Sequence, residues 1–239
     1  MPQSFLDGMV NQTFYIQDRT LNLGLLKSLS ESFKYFSNIV SRLILDKNGL
    51  SDQDFSKILE PLSQFKRFRS IIYRRNELGM ESLQHFVPML KRRVPFHLEE
   101  LTIERCTMTQ SVSEEFVDIL ESNKIFLKKL TLIKMDMTDD VFFKLARHIK
   151  RSTSFLREVN LSDNSLRPFC FQKMLAALSR NQNLKHIDIS QNTLLSASPE
   201  NEPGSPSEKP NWNESEKALH SEILQINYSL QERPDIPQE

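Results

Sequence analysis

The chain has few of the residues on which catalytic and metal centres depend. It has only 2 cysteines, Cys106 and Cys170, too few for a disulfide framework or a thiolate zinc site. Its 5 glycines form neither a P-loop nor a GxGxxG turn, so no phosphate-binding loop is predicted. Its 5 histidines lack metal-ligand spacing. These absences predict a protein that is not an enzyme, with no catalytic residue, metal or cofactor.

Net charge and long apolar runs are lacking too. The 31 basic and 31 acidic residues balance, which disfavours nucleic acid as a partner. No stretch reaches the ~18 apolar residues of a membrane span, and the N-terminus lacks the pattern of a signal peptide. We therefore expect a soluble, monomeric protein that is located in the cytoplasm, either free or on the cytoskeleton. The charge is uneven, since residues 197–239 hold nine acidic against three basic residues, a formal −6.

One pattern recurs six times: apolar, two variable, apolar, variable, apolar, two variable, and then usually Asn. Its closing positions are 48, 76, 106, 135, 164 and 192, which lie 28, 30, 29, 29 and 28 residues apart. A period of this size predicts a solenoid. The alternation inside each copy indicates a short strand, and the apolar spacing after it indicates a helix. We expect an α/β fold, an open horseshoe with a parallel inner sheet and outer helices.

The last two copies, Leu156 to Leu166 and Leu184 to Leu194, resemble the ribonuclease-inhibitor-like class of leucine-rich repeats. The resemblance covers residues 11–196 and implies a right-handed solenoid that presents a protein-binding surface. The same class includes Ran GTPase-activating proteins and tropomodulin-type actin regulators. It therefore implies two alternatives to a scaffold: a GTPase-activating or GTPase-regulatory protein, and an actin or axonemal cytoskeleton-associated regulator.

The chain divides into four segments by composition. Four prolines and a glycine interrupt the last repeat and predict a flexible linker, after which a helical apolar stripe resumes. That helix either caps the exposed end of the array or binds a partner, and the sequence leaves both interpretations open. The segments are the leucine-rich repeat domain 11–196 (a degenerate N-terminal cap repeat 11–37 and six repeats 38–196), the linker 197–212, the helix 213–231 and a disordered tail 232–239.

The Asn that closes each copy has a structural role in this interpretation. Its carboxamide can both donate to and accept from backbone groups of neighbouring turns, which a solenoid buries. Cys106 and Met135 interrupt the series, and Cys106 is disfavoured as a nucleophile because its column is buried. We predict a ladder formed by Asn48, Asn76, Asn164 and Asn192.

The position just before this Asn carries a cation in four successive repeats. Because adjacent strands lie about 4.8 Å apart, such cations would form a line on the concave face. Two isoleucines between the core residues of their strands are expected to be exposed beside that line. We predict a non-enzymatic protein-interaction scaffold or regulator whose concave face binds an acidic protein segment with apolar anchors. The predicted partner-binding residues are Lys47, Arg75, Arg105, Lys134, Arg74, Ile44 and Ile72.

Overall fold

A computed structural model describes most of the repeat region. The described residues are 9–63, 65, 67–91, 98–122, 126–135, 137–150, 155–164, 166, 170, 173, 174, 176, 177, 181 and 183–192. The linker, the helix 213–231 and the tail that the sequence analysis predicts lie outside them.

Eight strands form one sheet in chain order. Strands β2 to β8 are parallel, whereas β1 is antiparallel to β2. The parallel inner sheet predicted from the repeat period is confirmed. The strands are β1 (Met9–Val10), β2 (Thr13–Gln17), β3 (Arg42–Asp46), β4 (Ser70–Arg74), β5 (Glu100–Glu104), β6 (Lys129–Ile133), β7 (Glu158–Asn160) and β8 (His186–Asp188).

A helix connects each pair of successive strands from β2 to β7, so every connection is a β-α-β crossover. Side chains cap the helix starts: Asn22 accepts from the N–H of Leu25 at 3.0 Å, and Ser51 accepts from that of Asp54 at 3.2 Å. The described helices are α1 (Leu23–Phe36), α2 (Asp52–Leu62), α3 (Met80–Lys91), α4 (Gln110–Ser122) and α5 (Asp139–Lys150).

The core lies between the sheet and the helices. Alternate strand residues point into it, so Leu43 and Leu45 are fully buried while Ile44 between them is half-buried. The rings of Phe55 and Tyr73 stack with centroids 3.7 Å apart, which joins a helix to the next strand. Each such apolar side chain contributes about 1.5–3 kcal/mol when it is buried. The α/β leucine-rich-repeat solenoid is therefore confirmed.

The N-terminal edge of the sheet is closed by a hairpin. Asn11 and Gln12 connect β1 to β2 and both have positive φ, 51° and 64°. Two successive left-handed residues make the tight turn whose twist suits an antiparallel hairpin. β1 precedes residue 11, where the predicted domain begins, and it covers an edge that would otherwise expose unpaired backbone groups.

Candidate functional site on the concave face

The concave face is built from the strand residues that point away from the helices. The register pairs the middle residues of β2 to β6 with one another and continues to the last residues of β7 and β8. This central column changes from apolar to polar along the array. Its members are Tyr15, Ile44, Ile72, Thr102, Thr131, Asn160 and Asp188.

The apolar end of the central column is more covered than the sequence suggests. Tyr15 keeps 41% of its surface exposed, but Ile44 and Ile72 are half-buried rather than exposed. The reason is the sheet spacing: side chains about 4.8 Å away on both neighbouring strands cover their flanks. They can still present apolar surface to a partner, though less than an exposed isoleucine would.

The four cations predicted from the repeats occupy a strained backbone position. Lys47, Arg75, Arg105 and Lys134 have φ of 52°, 51°, 51° and 52°. The left-handed region is uncommon for residues other than Gly, Asn and Asp. Sequence reasoning missed this conformation, although Asp163 at the equivalent position, with φ 56°, is the kind of residue that signals it. We call these four cations the basic column.

The first two cations of the basic column are held by acids of the preceding repeat. Lys47 Nζ lies 3.0 Å from Asp18 Oδ1, and Arg75 makes a bidentate contact with Asp46 at 2.7 and 2.8 Å. The hydrogen bond from Lys47 lowers the pKa of Asp18, and the bond to Asp46 raises that of Arg75. Asp46 is buried, so its charge needs this partner.

The other two cations have looser contacts. Arg105 Nε is 3.9 Å from Glu104 Oε1, while Arg74 Nε lies 2.9 Å from the other oxygen of Glu104. Lys134 Nζ is 3.8 Å from Asp163 Oδ2, beyond hydrogen-bond distance. More than half of each side chain is exposed, 53% for Arg105 and 54% for Lys134. The positive surplus of the basic column therefore lies in its second half, at Arg105 and Lys134.

The closing asparagines join neighbouring turns. Asn76 Oδ1 accepts from the N–H groups of Asn48 and Leu50 at 2.9 and 3.2 Å, and Asn192 Oδ1 accepts from those of Asn164 and Leu166. Asn164 Oδ1 accepts in turn from Met135 at 2.8 Å. The carboxamides of Asn76, Asn164 and Asn192 thus serve backbone groups of the turn before them.

The asparagine ladder ends at Asn48, where the cap repeat has Arg19 in place of Asn. The Asn48 amide donates to the Arg19 carbonyl at 3.0 Å, and Asn48 Oδ1 accepts no hydrogen bond from the described residues. Sequence reasoning missed another structural amide, Asn181. That side chain is fully buried and accepts from the N–H groups of Asn183 and Leu184.

Cys106 has the environment of a structural residue. Burial raises its pKa to about 11, so little thiolate forms near neutral pH. Its Sγ lies 3.5 Å from the carbonyl oxygens of Tyr73 and Glu104, where it donates in place of an amide. Within the described ranges no group of three or more His, Cys, Asp and Glu residues could hold a metal ion. None of the described helices is long and apolar enough to cross a membrane.

This chain is similar to known proteins at low sequence identity. No protein-family model matches the chain. It is 23% identical over 167 residues to NACHT, LRR and PYD domains-containing protein 5 of Mus musculus, and 24% identical over 179 residues to protein 3 of that series from Rattus norvegicus. These stretches cover 70% and 75% of this chain but 14% and 17% of those proteins, so the chain matches about one sixth of its curated relatives' length.

Two solved structures are similar at low TM-score. The tropomodulin C-terminal domain of Caenorhabditis elegans matches with TM-score 0.41 and 13% identity, over 85% of this chain and 93% of that one. Leiomodin-1 actin-binding site 2 matches with TM-score 0.43 and 9% identity, over 86% and 89%. The fold assignment depends on the sheet register and the repeat geometry instead. On those grounds the chain is a leucine-rich-repeat protein.

Proposed function

We propose that this chain is a protein-interaction module whose concave face binds an extended, acidic segment of a partner protein. The observation that carries the proposal is the pair Arg105 and Lys134, whose nearest described carboxylates lie 3.8–3.9 Å away. A partner carboxylate can join them without displacing a close ion pair. Charge of this kind acts mainly on the encounter rate and on the choice of partner.

The start of the basic column is a poorer anion site. A partner acid there would have to replace Asp18 on Lys47 or Asp46 on Arg75, and exchanging one close ion pair for another yields little net free energy. Removing the partner of buried Asp46 would in addition leave an unpaired charge. Lys47 and Arg75 therefore serve the fold first, and Arg105 and Lys134 serve the partner.

The isoleucines of the concave face, Ile44 and Ile72, set the spacing of the partner's side chains. Ile72 lies one strand before Arg105, about 4.8 Å across the sheet, and three residues, about 10 Å, along it. The two points are thus about 11 Å apart, a distance that an extended peptide covers in about three residues. The segment that fits carries an apolar side chain for Ile44 and Ile72 and a carboxylate about three residues from it.

Charge reversal with a matched control tests the proposal. The probe is a panel of labelled synthetic peptides of about ten residues, each with a leucine and a glutamate at varied spacing. We expect Arg105→Glu with Lys134→Glu to weaken the best peptide about tenfold. Lys27→Glu with Lys150→Glu, an equal charge change on exposed helix residues, should leave its affinity within about twofold.

The two alternatives that the resemblance implies give different results with the same samples. A GTPase regulator would accelerate GTP hydrolysis by purified small GTPases, and a cytoskeletal regulator would co-sediment with actin filaments or microtubules. Either activity, if it survives the reversal of Arg105 and Lys134, would assign that function and contradict the concave binding site. Equal affinity of the two double variants for the peptides would contradict it as well.

A further inference from the structure

The opposite edge of the concave face carries a second line of charge, which the sequence analysis overlooked. At the start of the strands each N–H donates to the carbonyl of the residue on the preceding strand, at 2.8 Å in every case. This regular ladder holds the side chains in one line about 19 Å long, four strand spacings. We call it the edge row, and its members are Arg69, Glu99, Lys128, Arg157 and Lys185.

The edge row is more positive than the basic column. Its single carboxylate, Glu99, is shared by Arg69 at 3.2 Å and Lys128 at 2.9 Å. Four cations and one acid leave a formal +3. Arg157 has no carboxylate within ion-pair distance among the described residues. By comparison, the four cations of the basic column and the adjacent Arg74 contact four acidic residues, which leaves a formal charge of +1 there.

Three of these cations are consecutive, and the first of them, Lys128, is the one that Glu99 contacts. Lys128, Arg157 and Lys185 directly precede neighbouring strands about 4.8 Å apart, well inside the ~8 Å Debye length of physiological salt. Like charges at that spacing repel each other. An anion that binds beside Arg157 meets this concentration of positive charge, and because it binds the folded state it should also stabilise the fold.

A pair of aromatic rings lies beside the most positive part of the edge row. Phe126 and Phe155, equivalent residues of successive repeats, stack with centroids 4.8 Å apart and planes 28° from parallel. Phe155 is 48% exposed, although phenylalanine is usually buried, and it is two residues from Arg157. An exposed aromatic next to cations combines apolar contact area with charge, as residues at the centres of interfaces do.

We propose that the edge row and the Phe126–Phe155 pair form a second docking surface, for an acidic protein segment that carries an aromatic or aliphatic side chain. The carboxylates would lie along Lys128, Arg157 and Lys185, and the apolar side chain would cover Phe155. Protein fits better than single-stranded nucleic acid. The two rings stack on each other instead of presenting separate faces to successive bases, and the whole chain has no net positive charge.

This surface is separate from the proposed concave site. Edge row and basic column lie at opposite ends of the strands, six residues or about 20 Å apart. No residue that is altered to test one site belongs to the other. Failure of one site therefore leaves the other to be tested independently.

The test compares two double variants in binding to defined probes. Arg157→Glu with Phe155→Ser changes the proposed surface, while Lys27→Glu with Leu23→Ser makes an equal change of charge and also removes one large apolar side chain, at exposed residues of α1. The probes are labelled peptides of about ten residues that combine glutamates with one phenylalanine, the same peptides with lysine for glutamate, and an oligothymidine of similar length. Binding is followed by fluorescence polarisation at about 50 and 500 mM salt, and melting shows whether each variant is folded.

We expect the acidic peptides to bind the unaltered protein, to raise its melting temperature and to bind less tightly at the higher salt. The edge variant should lose about tenfold in affinity and the α1 variant less than about twofold. Arg105→Glu with Lys134→Glu should leave this binding unchanged. Equal loss in the edge and α1 variants, tighter binding of oligothymidine, or no acidic peptide bound by the unaltered protein would each overturn the proposal.

Discussion

The carboxylate of Asp52 caps a helix of the next repeat, and Gly79 leaves the space that it fills. Asp52 Oδ1 accepts from the N–H of Gly79 at 2.8 Å and of Ser82 at 3.0 Å, and Oδ2 accepts from that of Glu81 at 2.9 Å. Gly79 directly precedes α3 and has no side chain that could cap it. The cap therefore comes from a residue 27 positions earlier, which couples two repeats through one carboxylate.

Replacing Gly79 by alanine should destabilise the fold. An added Cβ would lie 2.9 Å from Asp52 Cβ and closer still to its carboxylate, so Asp52 must move and lose the cap. We expect a loss of about 0.5–2 kcal/mol, measured by chemical denaturation. Gly24→Ala is the control, because its Cβ would meet nothing nearer than Asn22 Oδ1 at 3.5 Å and helical Gly→Ala usually stabilises by about 0.4–1 kcal/mol. If Gly79→Ala stays destabilising in an Asp52→Ala background, the cap is not the cause.

The same cap predicts a change of stability with pH. Burial on its own raises the pKa of Asp52, but hydrogen bonds from the side chain and N–H of Ser82 and from the N–H groups of Glu81 and Gly79 outweigh it and lower the pKa below 3.8. Because the folded pKa is the lower one, the stabilisation is complete above the unfolded value and disappears as the pH falls through the folded value. The free energy of unfolding of Asp52→Asn should thus approach that of the unaltered protein below about pH 4. A constant difference from pH 7 to pH 3 would contradict this assignment.

The backbone conformation of the basic column predicts the ranking of substitutions at Arg105. Its φ of 51° suits asparagine and strains a β-branched side chain. Arg105→Val should cost about 1–2 kcal/mol, which for a domain of this size lowers the melting temperature by roughly 2–8 °C. Arg105→Asn removes the same charge and should change stability by less than about 0.5 kcal/mol. Similar melting of the two variants would mean that the strain is not present in solution.

The array itself could be predicted from the sequence, because the signal is local and repeats. Leu43 and Leu45 alternate with Ile44 within one strand, and the same pattern returns about 29 residues later, so each copy has the same burial. Parallel strands in register follow when identical units stack. The candidate cations were found the same way, by position in the repeat. The hairpin strand β1 was missed because it precedes the first copy and shares none of its pattern.

The partners of the polar side chains were decided only by the tertiary structure. Arg75 meets Asp46 from 29 residues earlier, Asp52 caps α3 beyond Gly79, and Glu99 is shared by Arg69 and Lys128. A repeat period puts such residues on neighbouring strands, but ångström differences in side-chain reach decide which charges pair. The sequence thus determined the fold through apolar burial, which depends on periodicity and tolerates imprecise positions. Which positive charges lack a close carboxylate depends instead on directional contacts between turns, as at Arg105 and Lys134 in the basic column and at Arg157 in the edge row.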